Sequence, residues 1–370
     1  MMTRNSRPKL VAALVVFLTI LAACAQPATQ APPPAPTQAA APTQAAAAAP
    51  TQPPAATATP KKTWLYAVVP PVVHPFYGPF PGAIADASKD FNLGKVEYQL
   101  PQNFVQNEQN QILDGLVAKG YNAFAIQPAD PVAGNAKIGE LVDAGKIVVT
   151  FGGCPTPPSK APFCLATDVK QAAYLGATKL IDLIGGKGNI VHLTGEVADI
   201  NSKRRMEGVE QAVKEHPGVT LIQTIGDIDT PEKAPNAVAS LLASKRDQIN
   251  GILCTAYNPA VAVASELRKL NEKKIQAVGI DTDKTVLDAI RDGFLAGTVA
   301  QNPYGMAYLS LYSLSLMTQG YTWKSENPFF QDSGAFFVDK SSVDNIDQAA
   351  KDLNKKLKDG WLAKWNQPKQ

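Results

Sequence analysis

The sequence predicts an α/β protein that contains two doubly wound parallel-sheet domains. Short apolar runs alternate with helix-length amphipathic segments, and this alternation stops at a proline-rich loop and then restarts. The 370 residues leave room for two ordinary domains once the non-folding N-terminal segments are set aside. Alternating strands and helices form parallel sheets that are covered on both faces, so we expect two such domains with a ligand cleft between them.

The first half begins near Thr63 and shows strand and helix patterns in strict alternation. In its second predicted helix the apolar side chains recur on one face, and Gly120 ends the pattern. The predicted strands are 64–69, 95–99, 123–126 and 147–151, and the predicted helices are 82–91, 107–119 and 135–144.

The second half follows the loop and repeats the same rhythm. Thr230 and Pro231 are a good helix start, with a capping residue followed by proline at the first helical position. The predicted strands are 189–193, 220–225, 251–255 and 276–280, and the predicted helices are 169–184, 203–216, 230–244, 259–270 and 284–292.

The N-terminal segment has the pattern of a signal peptide. Basic residues precede an apolar run, 10–23, which is shorter than the roughly 20 residues that span a bilayer core. The sequence Leu21-Ala22-Ala23-Cys24 resembles the lipobox of bacterial lipoproteins. This resemblance implies that residues 1–23 are removed and that Cys24 is diacylated; the alternative is an uncleaved membrane anchor.

Residues 24–62 consist almost wholly of Ala, Pro, Thr and Gln. Such a composition cannot form a core and favours extended, polyproline-like conformations. We interpret it as a semi-rigid tether that holds the folded part away from the membrane. A ligand for a proline-recognition domain is the alternative.

The charge of the chain excludes one class of function. The formal net charge is +3, but the leader holds three basic residues, Arg4, Arg7 and Lys9, and no acidic one. The remainder is neutral, so it has no electrostatic footprint for nucleic acid or anionic lipid.

Three cysteines follow Cys24. Cys154 and Cys164 bracket the proline-rich loop in a chain with an export signal, which makes a disulfide between them plausible. Cys254 lies in an apolar run and is interpreted as a small core residue.

Several short motifs occur in a fixed order along the two halves. They are His74-Pro75-Phe76-Tyr77, Gly120-Tyr121-Asn122-Ala123-Phe124-Ala125-Ile126-Gln127-Pro128, Gly186-Lys187-Gly188-Asn189-Ile190-Val191, Arg205-Met206-Glu207-Gly208-Val209, Val278-Gly279-Ile280-Asp281 and Thr298-Val299-Ala300-Gln301-Asn302-Pro303-Tyr304. In this order they resemble the motifs of the type I periplasmic binding proteins of the ribose and galactose group. The resemblance covers residues 63–344. No single motif is specific to the family, so the resemblance depends on the occurrence of all the motifs in this order.

The resemblance implies two lobes joined by a three-segment hinge, with crossings near Thr167, Gln301 and Ser333. The remaining C-terminal residues are amphipathic and rich in lysine; a helix packed on the surface is expected, and a partner-binding element is the alternative. The implied domains are an N-terminal lobe of 63–166 plus 301–332, a C-terminal lobe of 167–300 plus 333–345, and a C-terminal extension of 346–370.

The resemblance also implies ligand contacts from the first half. Phe76 and Tyr77 follow the first strand, and aromatic faces suit the C–H side of a sugar ring. Their alternative role is to fill the core. His74 stands where the family often has asparagine, Gln127 ends the third strand, and Thr167 lies at a crossing.

In the second half Asp281 ends a strand and could accept hydrogen bonds from ligand hydroxyls, or it could cap the next helix. Gln301 lies at a hinge crossing. Lys203 stands where relatives often carry arginine, and its alternative role is a solvated helix start. Tyr257 and Asn258 follow the strand 251–255 and could reach the cleft.

One feature departs from the family pattern. Monosaccharide binders of this group often end the fourth strand with Asp-Arg, whereas here Gly152 and Gly153 stand at that place. Either the backbone approaches the ligand closely or the loop that follows replaces these contacts. The departure argues against ribose or galactose in particular and for a bulkier or differently shaped ligand.

The resemblance implies an extracytoplasmic solute-binding protein of an ABC importer. It would close around a small polar ligand, with a sugar favoured, and deliver it to an ABC permease. The protein would be a lipid-anchored monomer at the outer face of the cytoplasmic membrane, with no nucleic-acid partner. Alternatives are a receptor that presents its ligand to a sensor kinase or chemoreceptor, and a binder of a nucleoside or a sugar-derived signal.

Catalysis is not expected. The histidines, His74, His192 and His216, lack zinc-hydrolase spacing, and neither a nucleophile-elbow motif nor a phosphate loop occurs. No catalytic residue, cofactor or metal is therefore predicted. A sugar-responsive transcription regulator is disfavoured by Cys24 and by the lack of a DNA-binding headpiece.

Overall fold

A computed structural model describes residues 63–368, which form two mainly parallel sheets with helices packed on both faces. The predicted signal peptide, Cys24 and the tether lie outside the described residues. No helix in the described part of the chain is long and apolar enough to cross a membrane.

The sheet of the N-terminal lobe is wholly parallel, in the order β12-β5-β4-β3-β1-β2. Its strands are β1 (Tyr66–Val69), β2 (Val96–Tyr98), β3 (Ala123–Ile126), β4 (Ile147–Phe151), β5 (Cys164–Ala166) and β12 (Phe330–Asp332). Its helices are α1 (Phe80–Phe91), α2 (Gln106–Ala118), α3 (Ala133–Asp143) and α9 (Pro303–Thr318).

The sheet of the C-terminal lobe has the order β13-β10-β9-β8-β6-β7, and only its edge strand β13 is antiparallel. Its strands are β6 (Gly188–Leu193), β7 (Val219–Ile225), β8 (Gly251–Cys254), β9 (Gln276–Ile280), β10 (Gly297–Gln301) and β13 (Ala335–Asp339). Its helices are α4 (Val169–Leu183), α5 (Ile200–Glu215), α6 (Lys233–Lys245), α7 (Tyr257–Lys269) and α8 (Lys284–Arg291).

Each sheet has a separate apolar core on each face. In β1 the side chains of Tyr66 and Val68 pack towards α1 and α9, whereas Ala67 and Val69 pack towards α2 and α3. Because both faces are covered, the strands are apolar at nearly every position and do not alternate with polar residues. Cys254 is one of these buried strand residues, as expected from the sequence.

Three chain segments connect the lobes, and they lie against one another. The Thr167 Oγ1 atom is 3.3 Å from Ser333 Oγ, and the Asn302 side chain donates a hydrogen bond to the Ser333 carbonyl oxygen at 2.8 Å. All three residues are buried. The predicted fold class, two doubly wound parallel-sheet domains joined by a three-segment hinge, is confirmed.

The C-terminal residues are part of the folded protein. Helix α10 (Ile346–Trp361) packs against α9 and buries Trp361 completely. The short strands β11 (Thr322–Trp323) and β14 (Trp365–Asn366) then pair with each other. The expected surface-packed helix is present.

Five predicted helix starts, those of α1, α3, α5, α6 and α7, were wrong by two or three residues. Helix α5 begins at Ile200, not at residue 203, because Asp199 caps it by accepting a hydrogen bond from the Ser202 backbone. Helix α6 begins at Lys233, although the predicted capping residue Thr230 does accept a hydrogen bond from the Lys233 backbone.

Candidate functional site

A cavity of about 230 Å³ lies between the two lobes, at the carboxyl ends of both sheets. We call it the inner cavity. Polar side chains and aromatic rings from both lobes line it together. The lining residues are Val72, His74, Phe76, Tyr77, Phe104, Gln127, Gly152, Thr167, Val169, Asn201, Arg205, Asp229, Thr255, Ala256, Tyr257, Asp281, Gln301 and Met306.

The aromatic part of the N-terminal wall is a single helical turn, Pro75–Tyr77, which follows the five residues after β1. The His74 ring caps this turn, because its Nδ1 atom accepts a hydrogen bond from the Phe76 backbone at 3.1 Å. The Tyr77 hydroxyl donates to the Gln127 Oε1 atom at 3.0 Å. Burial raises the pKa of Tyr77 well above its ordinary value, so the phenol keeps its proton and remains a donor.

The glycine pair after β4 makes room for Gln127. A Cβ atom at Gly152 would lie 1.9 Å from the Gln127 Oε1 atom, and Gly152 has a φ of +66°. Both facts require glycine at this position. The amide of Gln127 therefore occupies the space into which a side chain at position 152 would project.

The C-terminal wall has Asp281 at the end of β9. The Gln301 side chain donates a hydrogen bond to the Asp281 carboxylate at 2.7 Å, and Asp281 has a left-handed backbone with φ +63°. Burial raises the pKa of Asp281, and the hydrogen bond from Gln301 and the charge of Arg205 offset part of this effect. The next helix is capped by Asp283, which leaves the Asp281 carboxylate free for the cavity.

Arg205 reaches the cavity from α5. Its Nε atom is buried and has no hydrogen-bond partner among the described residues. Burial lowers the pKa of Arg205, whereas the carboxylates of Asp281, Asp199 and Asp229 raise it. Leaving a buried donor unpaired costs on the order of 1–3 kcal/mol, so this atom is well placed to gain from a ligand acceptor.

Asp229 is held in place by Asn258. The Asn258 backbone donates to the Asp229 carboxylate at 2.8 Å, and the Asn258 amide donates to the same carboxylate at 3.0 Å. These bonds fix one carboxylate oxygen, and the residue still lines the cavity.

The lobes touch at the edge of the cavity. The rings of His74 and Tyr257 make an edge contact with centroids 5.3 Å apart. The Tyr257 hydroxyl donates to the Asp283 carboxylate at 2.6 Å, so this tyrosine presents its ring, and not its hydroxyl, to the opposite lobe.

The cavity combines carboxylates, amides and a guanidinium with aromatic rings. This combination suits a compact ligand that carries several hydroxyl groups on an apolar ring, since hydroxyls donate to carboxylates and accept from arginine. In residues 63–368 no group of three or more His, Cys, Asp or Glu side chains is placed to hold a metal ion.

Comparison with known protein families decides the family of the chain. The periplasmic binding protein domain matches residues 65–322. The chain belongs to this family.

This periplasmic binding protein has relatives of known ligand. A D-apiose import binding protein from Paraburkholderia graminis is 24% identical over 195 residues, which cover 53% of this chain and 62% of that protein. A xylitol-binding protein from Mycolicibacterium smegmatis is 23% identical over 200 residues, which cover 54% of this chain and 57% of that protein. The chain therefore spans less than two thirds of the length of these two relatives.

A solved structure shows the same fold. The crystal structure of a sugar ABC transporter sugar-binding protein from Bacillus halodurans matches with a TM-score of 0.70 and 25% identity. The match covers 77% of this chain and 99% of the other. As a periplasmic binding protein, this chain is extracytoplasmic, in a compartment that permits the disulfide found between Cys154 and Cys164.

Most of the residues predicted from the sequence to contact a ligand line the inner cavity of this periplasmic binding protein. They are His74, Phe76, Tyr77, Gln127, Thr167, Tyr257, Asp281 and Gln301. Their contact with a ligand stays a prediction.

Two other predicted residues do not line the inner cavity. Lys203 is exposed on α5, and Asn258 faces Asp229. Residues two positions apart on a helix point about 200° away from each other, so Lys203 and Arg205 lie on opposite sides of α5; a contact between Lys203 and a ligand stays a prediction. Arg205, on the other side of α5, lines the cavity instead.

Sequence reasoning missed several lining residues. Arg205 begins the motif Arg205-Met206-Glu207-Gly208-Val209, and a helical projection of this segment places it on the side opposite Lys203. Asp229 and Asn201 carry no local signal, because Asp229 reaches the cavity from the loop after β7 and Asn201 from the first turn of α5, both through tertiary packing.

Proposed function

We propose that this protein is the solute-binding component of an ABC importer and captures a sugar or sugar alcohol in the inner cavity. One observation carries the proposal: charged and polar groups from both lobes line a single cavity with aromatic rings at its edge. The names of the relatives, which bind D-apiose and xylitol, support a small polyhydroxylated ligand. No chemical step is proposed.

The charged groups supply the recognition. The Asp281 carboxylate accepts hydrogen bonds from ligand hydroxyls, and the unpaired Nε of Arg205 donates to a ligand oxygen. The rings of Phe76 and Tyr77 lie against the C–H face of the sugar. Each of these contacts is stronger in the closed cleft, where water is excluded.

Ligand binding drives closure. A ligand that contacts both lobes binds the closed arrangement more tightly than an open one, and it shifts the population by that difference in affinity. The three crossing segments near Thr167, Asn302 and Ser333 act as the hinge. A membrane permease then recognises the closed form.

Attachment to the membrane is part of the proposal. Cys24 is the lipid-modified residue of the mature chain, and the segment 24–62 tethers a monomeric binding unit to the outer face of the cytoplasmic membrane. The signal-peptide pattern and the residues before Cys24 support it. Mass spectrometry of the membrane fraction, with Cys24→Ser as the comparison, tests this part.

Calorimetric titration tests the ligand site. We expect D-apiose, xylitol, D-arabinose or D-ribose to bind the purified protein and Asp281→Asn to weaken the best of them by about 100-fold or more, because a charged acceptor at the centre of the site is lost. The matched control is Asp247→Asn, whose side chain is 97% exposed. Equal affinity in Asp281→Asn and the unchanged protein contradicts the proposed site.

A further inference from the structure

A second cavity, of about 430 Å³, lies beside the inner cavity. We call it the outer chamber. The two cavities have part of their walls in common, so they form two compartments of one cleft. The shared residues are Phe104, Gln127, Gly152, Thr167, Val169 and Asn201.

The walls of the outer chamber differ from those of the inner cavity. The exposed Pro157 and the buried Pro155 line one side, and Ile200 lines the chamber from the other lobe. Ile200 is 57% exposed and the Phe104 ring is 58% exposed. Phe104 makes no ring contact with another aromatic side chain in residues 63–368. Exposed apolar side chains on both sides of a cleft mark a surface that a ligand can cover.

The proline wall is held rigidly. The disulfide between Cys154 and Cys164 closes the loop, and the Asn135 side chain donates to the carbonyl oxygens of Thr156 and Pro158, each at 2.8 Å. The Thr156 backbone also donates to the Pro131 carbonyl oxygen at 2.9 Å. A wall fixed before binding costs little further ordering when a ligand arrives.

The outer chamber also contains a guanidinium group that is not paired with another residue of the described part of the chain. Arg204 lines it and makes no hydrogen bond or ion pair within the described part of the chain. The neighbouring Asp199 carboxylate is occupied in capping α5. Arginine therefore remains as the donor for a ligand hydroxyl or ring oxygen at this place.

We propose that the cleft binds a ligand of two sugar rings, with the first ring in the inner cavity and the second in the outer chamber. This inference rests on the proposed function. The apolar proline and phenylalanine faces contact the C–H face of the second ring, and Arg204 donates to one of its oxygens. Gln127 and Gly152 line both compartments, so they lie where the two rings of the ligand would join.

Paired titrations test the inference. The purified full chain is titrated with D-xylose and xylobiose, with D-glucose, cellobiose and maltose, and with D-galactose and lactose. At least one disaccharide is expected to bind ten-fold or more tightly than its component monosaccharide, because it covers apolar surface that the monosaccharide leaves exposed.

Two neighbouring basic residues on α5, Arg204 and Lys203, provide a test variant and its matched control. Arg204→Gln is expected to weaken the best disaccharide about ten-fold and to leave its monosaccharide within two-fold, because Arg204 does not line the inner cavity. Lys203→Gln removes the same charge one residue away and is expected to change neither. Ile200→Ala is expected to act as Arg204→Gln does, through lost apolar contact.

The outcomes separate the inference from the function on which it rests. If monosaccharides bind and no disaccharide binds more tightly, the second ring has no site and the proposed function stands. If Arg204→Gln and Lys203→Gln weaken disaccharide binding equally, the loss comes from the changed net charge of the protein. That result overturns the proposed role of the outer chamber. If no saccharide of either set, and none of the four ligands named above, binds, both proposals fail.

Discussion

At the scale of single residues, the geometry of the candidate site depends on supporting residues that fix the orientation of the polar side chains lining the cavity. Tyr77 and Gly152 fix the amide of Gln127, and Gln301 fixes the carboxylate of Asp281. Such paired polar groups lose little freedom when a ligand arrives, which favours tight binding of a small polar molecule. Substitutions at the supporting residues should therefore act on affinity through their partners.

His192 lies behind the cavity wall and makes the stability of the protein depend on pH. It is 1% exposed, and its Nε2 atom is 2.7 Å from the Thr255 Oγ1 atom. Burial and the charge of Arg205 lower the pKa of His192 to about 3. The neutral ring is thus favoured by folding, and its contribution is complete above the ordinary pKa of about 6.5 and is lost as pH falls towards 3.

We expect His192→Gln to reduce the loss of stability between pH 7 and pH 4.5. Below about pH 6 the unchanged protein loses about 1.4 kcal/mol per pH unit from this residue alone, whereas glutamine does not titrate. Urea unfolding at several pH values measures the difference. Parallel pH profiles for His192→Gln and the unchanged protein would show the assignment to be wrong.

At the scale of elements, the C-terminal helix α10 is the clearest case of a segment whose role the sequence left open. Its amphipathic pattern predicts a packed helix, but only the structure shows what the apolar face covers. Trp361 enters the N-terminal lobe, where its Nε1 atom donates to Ser313 Oγ at 2.9 Å and its ring contacts Phe163 with centroids 5.6 Å apart. Helix α10 is therefore part of the core of that lobe.

Trp361→Ala is expected to lower the free energy of unfolding by about 3–5 kcal/mol, because it leaves a large cavity beside α9. The neighbouring Leu362 is 44% exposed, and Leu362→Ala should cost less than about 1 kcal/mol. Chemical denaturation followed by far-ultraviolet circular dichroism measures both. Similar small losses in the two variants would mean that α10 is not part of the core.

At the scale of the whole binding unit, two sheets of the same design face each other across the cleft and are joined by three short crossings. Two lobes with separate apolar cores can move as rigid bodies, since closure changes only the crossing segments and the cleft surfaces. The contact between His74 and Tyr257 is the place where the lobes meet beside the inner cavity.

We expect a saturating ligand, taken from the calorimetric titrations, to reduce the radius of gyration measured by small-angle X-ray scattering. The physical reason is that a ligand in contact with both lobes favours the closed population. The Asp281→Asn variant at the same ligand concentration serves as the control and should keep the profile of the free protein. A profile that does not respond to a bound ligand contradicts the hinge mechanism.

Much of the fold could be predicted because its evidence is local. The apolar runs of β1, β3, β4, β8 and β9 lie where the sequence predicted strands, since a strand buried on both faces is apolar at nearly every position. The short strand β5 and the edge strand β12 went unpredicted. Each has three residues, and they pair with each other across more than 160 positions of the chain, while β5 also pairs with β4.

The residues of the candidate site also fall into two groups, those that the sequence predicted and those that it did not. Residues at the ends of predicted strands, such as Gln127 and Asp281, were placed correctly in the cavity, because the carboxyl ends of parallel strands meet at one edge of a sheet. Predicted residues on helices and loops gave a mixed result: Tyr257 and Thr167 line the cavity, whereas Lys203 and Asn258 do not. Lys203 was chosen from the resemblance, whereas the packing of α5 against its lobe turns Arg205 to the cavity.

The sequence alone determined the fold class, the family motifs and the strand-end residues of the cleft, because each depends on periodicity or spacing within a short segment. Only the tertiary structure decided which helical side chains face the cavity, why glycine follows β4, and that the cleft has a second compartment. These features arise where segments distant in the chain pack against each other, and an apolar pattern specifies which face is buried but not what it meets.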